Sequence, residues 1–299
     1  MNRGLFYGGL LILIWSWPTV FITLLSDDFD VITQNFFRYS AGSLILLLIV
    51  LVFRRREFLR ARAKVYRFFI PSLLVFAFQI VWVQAIYLTT PTTSILLSKL
   101  DVIFIATLSA LLFEAERRVV KNRFFIAGCS LALLGAVGVA LGRGGEADAQ
   151  FNLGVLLLLL RSGIWAVYTV MIRDLVNKVE PLITATWVFL FASVLFLPAV
   201  VVWGDIYRPT NVSVTTNIML FGSGAVCVGL GNALNYTTIK HLGSTMTTTL
   251  LLVTPFTAGI IAYLVCDETL TALQVVSGVV IVSSCLLIVR KVVVHDDDK

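Results

Sequence analysis

The chain alternates long apolar runs with short polar or charged interruptions, and does so ten times. The runs lie at about 5–25, 31–53, 68–88, 92–113, 124–141, 153–172, 181–203, 216–239, 244–266 and 269–289. A run of roughly 20 apolar residues is what an α-helix needs to cross the hydrocarbon core of a bilayer. At this length only a helix closes its own backbone hydrogen bonds, whereas a barrel would show short alternating strands. The pattern therefore predicts an all-α polytopic membrane protein with ten transmembrane helices. Composition agrees: 13% of residues are charged, against ~25% in soluble domains. The first run follows Arg3 as a signal peptide would, but it is too long for a typical secretory core. It ends in SDDFD without a small-x-small cleavage site, so it is expected to stay as the first helix.

Charge placement sets the orientation. With the N-terminus in the cytoplasm, 18 basic residues fall in cytoplasmic segments and two, Arg143 and Arg208, fall outside. The positive-inside rule then puts both termini in the cytoplasm. The net charge of +6 is thus a topology signal, and no nucleic-acid partner is expected. Three basic residues remain, and all lie within spans: Arg38, Lys99 and Arg161. A charge near the middle of a span costs about 2.5–3.5 kcal/mol on insertion scales, so these side chains should face protein or water rather than lipid.

The two halves echo one another. Gly4 and Gly154, Ile14 and Ile164, Trp15 and Trp165, and Thr19 and Thr169 coincide at an offset of 150. At an offset of 154, Trp82 falls on Tyr236, Asp101 on Pro255 and Glu114 on Glu268. Five spans per half is an odd number, so the second copy should be inverted in the membrane. The expected units are 1–145, 146–291 and a short tail or tag remnant at 292–299, with the division in the Gly- and acid-rich LGRGGEADAQ. Inverted repeats place a substrate site near the midplane, between two interconvertible half-structures.

This order of features resembles the drug/metabolite transporter superfamily and its EamA-type halves. The resemblance is carried by the Ile-Trp in the first span of each half and the glutamate closing each fourth span. Length, intramembrane aromatics and the LLSKLD segment are most similar to YddG-like aromatic amino-acid exporters. The resemblance implies a central cavity built by the first four spans of each half, with the fifth spans outside it. It also implies export across the inner membrane. Asp101 departs from the proline that many members carry at its position, as Pro255 does in the second half.

Several residues could serve transport. Lys99 and Arg161 can donate to a carboxylate, Arg161 bidentately. Asp101 could take an ammonium group or a proton, or form an internal salt bridge. Gln79 and Trp82 share one face of the third span, and Asn232, Asn235 and Tyr236 share one face of its counterpart. Amides mixed with aromatics on an intramembrane face suggest a passage that lipid would not tolerate. Trp17, Trp165 and Tyr168 could extend the aromatic wall, though aromatics at helical spacing more often serve packing. Pro18 and Pro255 lie inside spans and are candidate hinges. Gly138 and Gly142 form a GxxxG pair that suits either close helix packing or a homodimer. Glu114 and Glu268 read as caps or tethers to neighbouring basic residues.

No nucleotide-binding, metalloprotease, hydrolase or zinc motif is present, and GSGAVCVGLG lacks the spacing of a phosphate loop. No cofactor, metal or enzymatic activity is therefore expected, and the partners are lipid and a small-molecule substrate. The reading that follows is a secondary transporter exporting amino acids, aromatic or neutral ones favoured, by alternating access. The alternatives are an antiporter of phosphorylated metabolites or nucleotide-sugars, and an efflux protein for cationic drugs.

Overall fold

The structure is a computed structural model that describes residues 2–112, 123–141, 149–268 and 270–292. Glu114, Gly142, most of the dividing loop and the C-terminal tail lie outside the described residues. The helices are α1 (Asn2–Trp15), α2 (Pro18–Leu24), α3 (Val31–Phe53), α4 (Arg55–Ala61), α5 (Phe69–Leu88), α6 (Pro91–Leu97) and α7 (Asp101–Leu112). They continue as α8 (Arg123–Leu141), α9 (Ala149–Lys178), α10 (Pro181–Trp203), α11 (Val214–Ser223), α12 (Gly231–Leu250), α13 (Thr254–Cys266) and α14 (Ala272–Val292). Among the described residues, six helical stretches are long and apolar enough to cross a membrane: Arg3–Leu24, Val31–Phe53, Val65–Leu88, Asn152–Lys178, Pro181–Trp203 and Val214–Gly243. Their outward residues, such as Phe53, Trp203 and Val214, are large, apolar and exposed, as lipid-facing positions should be. This is a multi-pass membrane protein.

The packing joins the two halves everywhere. α1 lies on α12, α3 on α10, α5 on α9, α6 on α13, and α8 on α14. Numbered by the expected spans, these pairs are 1 with 8, 2 with 7, 3 with 6, 4 with 9 and 5 with 10. Exchanging the halves maps this set onto itself. Trp15 and Trp165, which coincide in the sequence alignment of the halves, meet edge to face at 6.1 Å.

Close approach depends on small residues. Between α11 and α12 the chain forms a π-helical stretch, Gly224–Leu230, inside the GSGAVCVGLG segment. A Cβ on Gly42 of α3 would lie 2.9 Å from both the Gly224 carbonyl and the Gly229 nitrogen. These glycines let two backbones touch, which is the use this sequence makes of them in place of a phosphate loop. Likewise, a Cβ on Gly138 of α8 would collide with Ser277 of α14. The described half of the GxxxG pair thus has its packing partner within the chain. Gly243 holds φ +79°, a conformation open to glycine and strained for other residues, and it breaks α12 where spans 8 and 9 were expected to part.

Neither candidate hinge proline interrupts a helix. Pro18 opens α2 after a break at Ser16–Trp17, and Pro255 sits in the first turn of α13. There the missing N–H is one the helix would leave unpaired in any case. The proline inside a helix is Pro198 of α10, which the sequence reading passed over. Breaks nonetheless fall near both: the Ser16 and Thr257 hydroxyls are hydrogen-bonded, tying the break in span 1 to the start of α13.

Candidate functional site

A cavity of about 110 Å³ lies between the halves, and α1, α3, α5, α7, α9, α12 and α13 all contribute to its lining. Among the described residues, neither α8 nor α14 lines it. The two fifth-span helices pack on each other instead; α10, the second half's counterpart of α3, also contributes no lining residue, although the resemblance implied a lining from the first four spans of each half.

The cavity holds a buried ion pair. Between α6 and α7 the chain tightens into a 3-10 turn, Ser98–Leu100, and Asp101 then begins α7. A carboxylate in the first turn of a helix meets the positive end of the helix dipole. Arg161 of α9 donates from Nη1 to Asp101 Oδ2 at 2.6 Å, with both side chains nearly inaccessible. Its guanidinium also lies over three rings: Trp165 at 5.0 Å, Trp82 at 5.5 Å and Phe78 at 5.9 Å. Attraction to ring faces strengthens when the cation is desolvated, so the arginine is held by one acid and an aromatic cage. Asp101 Oδ1 and Arg161 Nε have no hydrogen-bond partner.

Lys99 points to the other half of the molecule. Its Nζ donates to Thr254 Oγ1 at 2.7 Å. Thr254 in turn donates to the Leu251 carbonyl at 2.6 Å, within the 3-10 turn Leu251–Val253 that precedes α13. Glu268 forms a second link between the same passages, accepting from Thr92 N at 3.1 Å and Thr92 Oγ1 at 2.8 Å. The glutamate is a tether, as its position suggested, but to the first turn of α6 rather than to a basic residue.

The remaining expectations divide cleanly. Lys99, Asp101, Arg161, Gln79, Trp82, Trp165 and Asn232 all line the cavity, as does Pro18. Asn232 spends its amide on the Val228 carbonyl of its own helix, at 2.9 Å. Tyr236 and Tyr168 do not line it; their hydroxyls are hydrogen-bonded to each other inside the apolar core. Trp17 is 38% exposed, stacks on Phe21 at 5.6 Å and does not line the cavity. Pro255 lines a separate apolar groove among α6, α13 and α14. The lining also includes Arg38 of α3 and Trp15 of α1, neither of which the sequence reading had placed there. The signal for Arg38 was present: it is the single charged residue in a 23-residue helix.

With two halves packed on each other around a cavity lined by charged and aromatic side chains, the comparison that decides the family is the sequence profile. The profile of the EamA-like transporter family matches residues 2–141 and again residues 152–290. The chain belongs to the EamA-like transporter family. An uncharacterized transporter of Haemophilus influenzae is 22% identical over 281 residues, which is 89% of this chain and 90% of the relative. A solved crystal structure, described only as that of a protein, aligns over 100% of both chains with a TM-score of 0.70 at 16% identity. That likeness supports the fold alone. In this EamA-like transporter, the ion pair and the lysine–threonine contact each join a residue of the first matched segment to one of the second.

Proposed function

We propose that this transporter exports amino acids, aromatic and neutral ones favoured, across the inner membrane by alternating access through the cavity. The observation that carries the reading is the cavity's charge and surface. Three cations, Arg38, Lys99 and Arg161, line it with one described carboxylate, Asp101, beside the indoles of Trp15, Trp82 and Trp165. The excess of positive charge suits a solute bearing a carboxylate, and the indoles suit a flat or apolar side chain. The same excess opposes lipophilic cations, which weakens the cationic-drug alternative.

In this reading the chain crosses the bilayer ten times, with both termini in the cytoplasm, as two inverted units at 1–145 and 146–291. The volume of about 110 Å³ is below the ~300–1,000 Å³ of typical small-molecule sites. Binding a solute therefore requires the helices to part, and the cross-half links at Lys99–Thr254 and Glu268–Thr92 are contacts such a movement has to remake. The charge excess also favours a second reading, exchange of phosphorylated metabolites, because a dianion would neutralise two cations.

Flux into proteoliposomes tests both. Phenylalanine, threonine and a phosphosugar are offered as radiolabelled solutes to the wild type and to Lys99→Ala. The expected result is phenylalanine flux that falls at least tenfold in the variant. Phosphosugar exchange without amino-acid flux would establish the second reading in its place.

A further inference from the structure

The three cations of the cavity are not equivalent. Arg161 spends its charge on Asp101 at 2.6 Å and on a cage of rings. Lys99 is held by the Thr254 hydroxyl. Arg38 differs from both. It is 1% exposed, and its Nε and Nη1 have no hydrogen-bond partner. Asp101, the one described carboxylate lining the cavity, is already committed to Arg161. Burying a charge without a partner is costly, and the cost falls only when an opposite charge or good acceptors arrive.

Position reinforces this. Arg38 sits on α3 where that helix is pressed against the π-helical stretch of the second half, its backbone in contact with Gly224. π-Helical turns are rare and often mark functional sites. In the same lining, Gln79 Oε1 is a buried acceptor that also lacks a hydrogen-bond partner. A free guanidinium and a free amide oxygen facing one cavity offer complementary ends to a zwitterion.

We propose that Arg38 is the anion anchor of the cavity: its guanidinium takes the carboxylate of the carried solute, while Arg161 serves the internal pair with Asp101. This rests on the reading that the solute bears a carboxylate, and extends it by naming the group that meets it. Arginine's planar fork matches a carboxylate bidentately, which lysine cannot reproduce.

The test uses the purified full chain in detergent, with benzoate, neutral benzamide and inorganic phosphate as probes of thermal stability. Benzoate is expected to raise the Tm of the wild type and benzamide to leave it unchanged, because a ligand stabilises the state it binds. Arg38→Met should weaken benzoate binding about 30-fold or more, the usual scale for truncating one member of a buried charged contact. It should also raise the unliganded Tm, since an unpartnered buried charge is removed. A merely structural arginine would lower it. Arg38→Lys keeps the charge and should bind benzoate about tenfold more weakly than wild type, which preserves the test if the methionine variant does not fold. Equal benzoate shifts in wild type and variants, or none in wild type, overturn the proposal. A larger response to phosphate than to benzoate, lost in Arg38→Met, keeps the anchor and moves the solute to phosphorylated metabolites. Arg38-dependent benzoate binding without amino-acid flux keeps the anchor and refutes the amino-acid reading. Phenylalanine flux that Arg38→Met leaves intact does the reverse.

Discussion

The fourth passage of each half, α6 to α7 in the first and the end of α12 to α13 in the second, shows one device put to two uses. Each is broken by a three-residue 3-10 turn, Ser98–Leu100 in one and Leu251–Val253 in the other, and a new helix starts directly after it. Such short turns inside longer helices often mark a hinge or a strained segment. In the first copy the new helix begins with Asp101, which binds Arg161. In the second it begins with Thr254 and Pro255, with a hydroxyl where the other has a charge. The two breaks meet directly, Lys99 Nζ to Thr254 Oγ1 at 2.7 Å. The repeat therefore supplies the scaffold twice, and divergence between the copies leaves the fourth passage of the first half charged and that of the second neutral.

The most severe way to break this comparison is to remove the charge from the first copy. Asp101→Ala would leave the Arg161 guanidinium buried beside three rings with no anion, and losing one member of a buried pair costs about 3–5 kcal/mol. A large drop in Tm in detergent is expected. The double variant Asp101→Leu with Arg161→Met should recover most of it, because two apolar groups of similar bulk remove the need for the pair. If the single variant is as stable as wild type, the ion pair does not hold α7 against α9, and the contrast between the copies carries no energetic weight.

A smaller effect is expected on the neutral side. Thr254→Val keeps the shape of the side chain and deletes both the acceptor for Lys99 and the bond to the Leu251 carbonyl. Hydrogen bonds to charged groups contribute about 1.5–3 kcal/mol, so a loss in that range should appear in chemical denaturation. In a Lys99→Met background the same change should cost clearly less, since the charged donor is gone. Additive losses would show that the two breaks do not act through one another.

The limits of the sequence follow from the same contrast. The long apolar spans, the doubling of the chain and the alignment of Trp15 with Trp165 were legible, because apolar length and a fixed offset survive without knowledge of packing. So was the presence of a guarded polar interior, since Lys99, Asp101 and Arg161 could not all face lipid. Which polar groups meet was not legible. Membrane helices are apolar all round, so the hydrophobic pattern does not say which face points inward, and Tyr236 was expected in the cavity although it bonds Tyr168 in the core. Arg38 shows the same gap from the other side. Its charge said that it avoids lipid, but only the close α3–π-helix contact places it in the cavity with unpaired donors.

The smallest expected effect concerns Pro255, the residue that looked most like a hinge. In the first turn of α13 a proline removes no helical hydrogen bond, and its fixed φ suits a helix start. The break before it is held instead by the Thr254–Leu251 bond and the 3-10 turn. Pro255→Ala should therefore cost only about 0.4–1 kcal/mol, through the added freedom of the unfolded chain. Solute flux in proteoliposomes should stay within about twofold of wild type, 2-fold being ~0.4 kcal/mol on the rate scale. A tenfold loss of flux at unchanged stability would instead make the proline ring itself the moving part. The difference between the two fourth passages would then be one of mechanics as well as charge, with the first copy a fixed electrostatic wall and the second the element that bends.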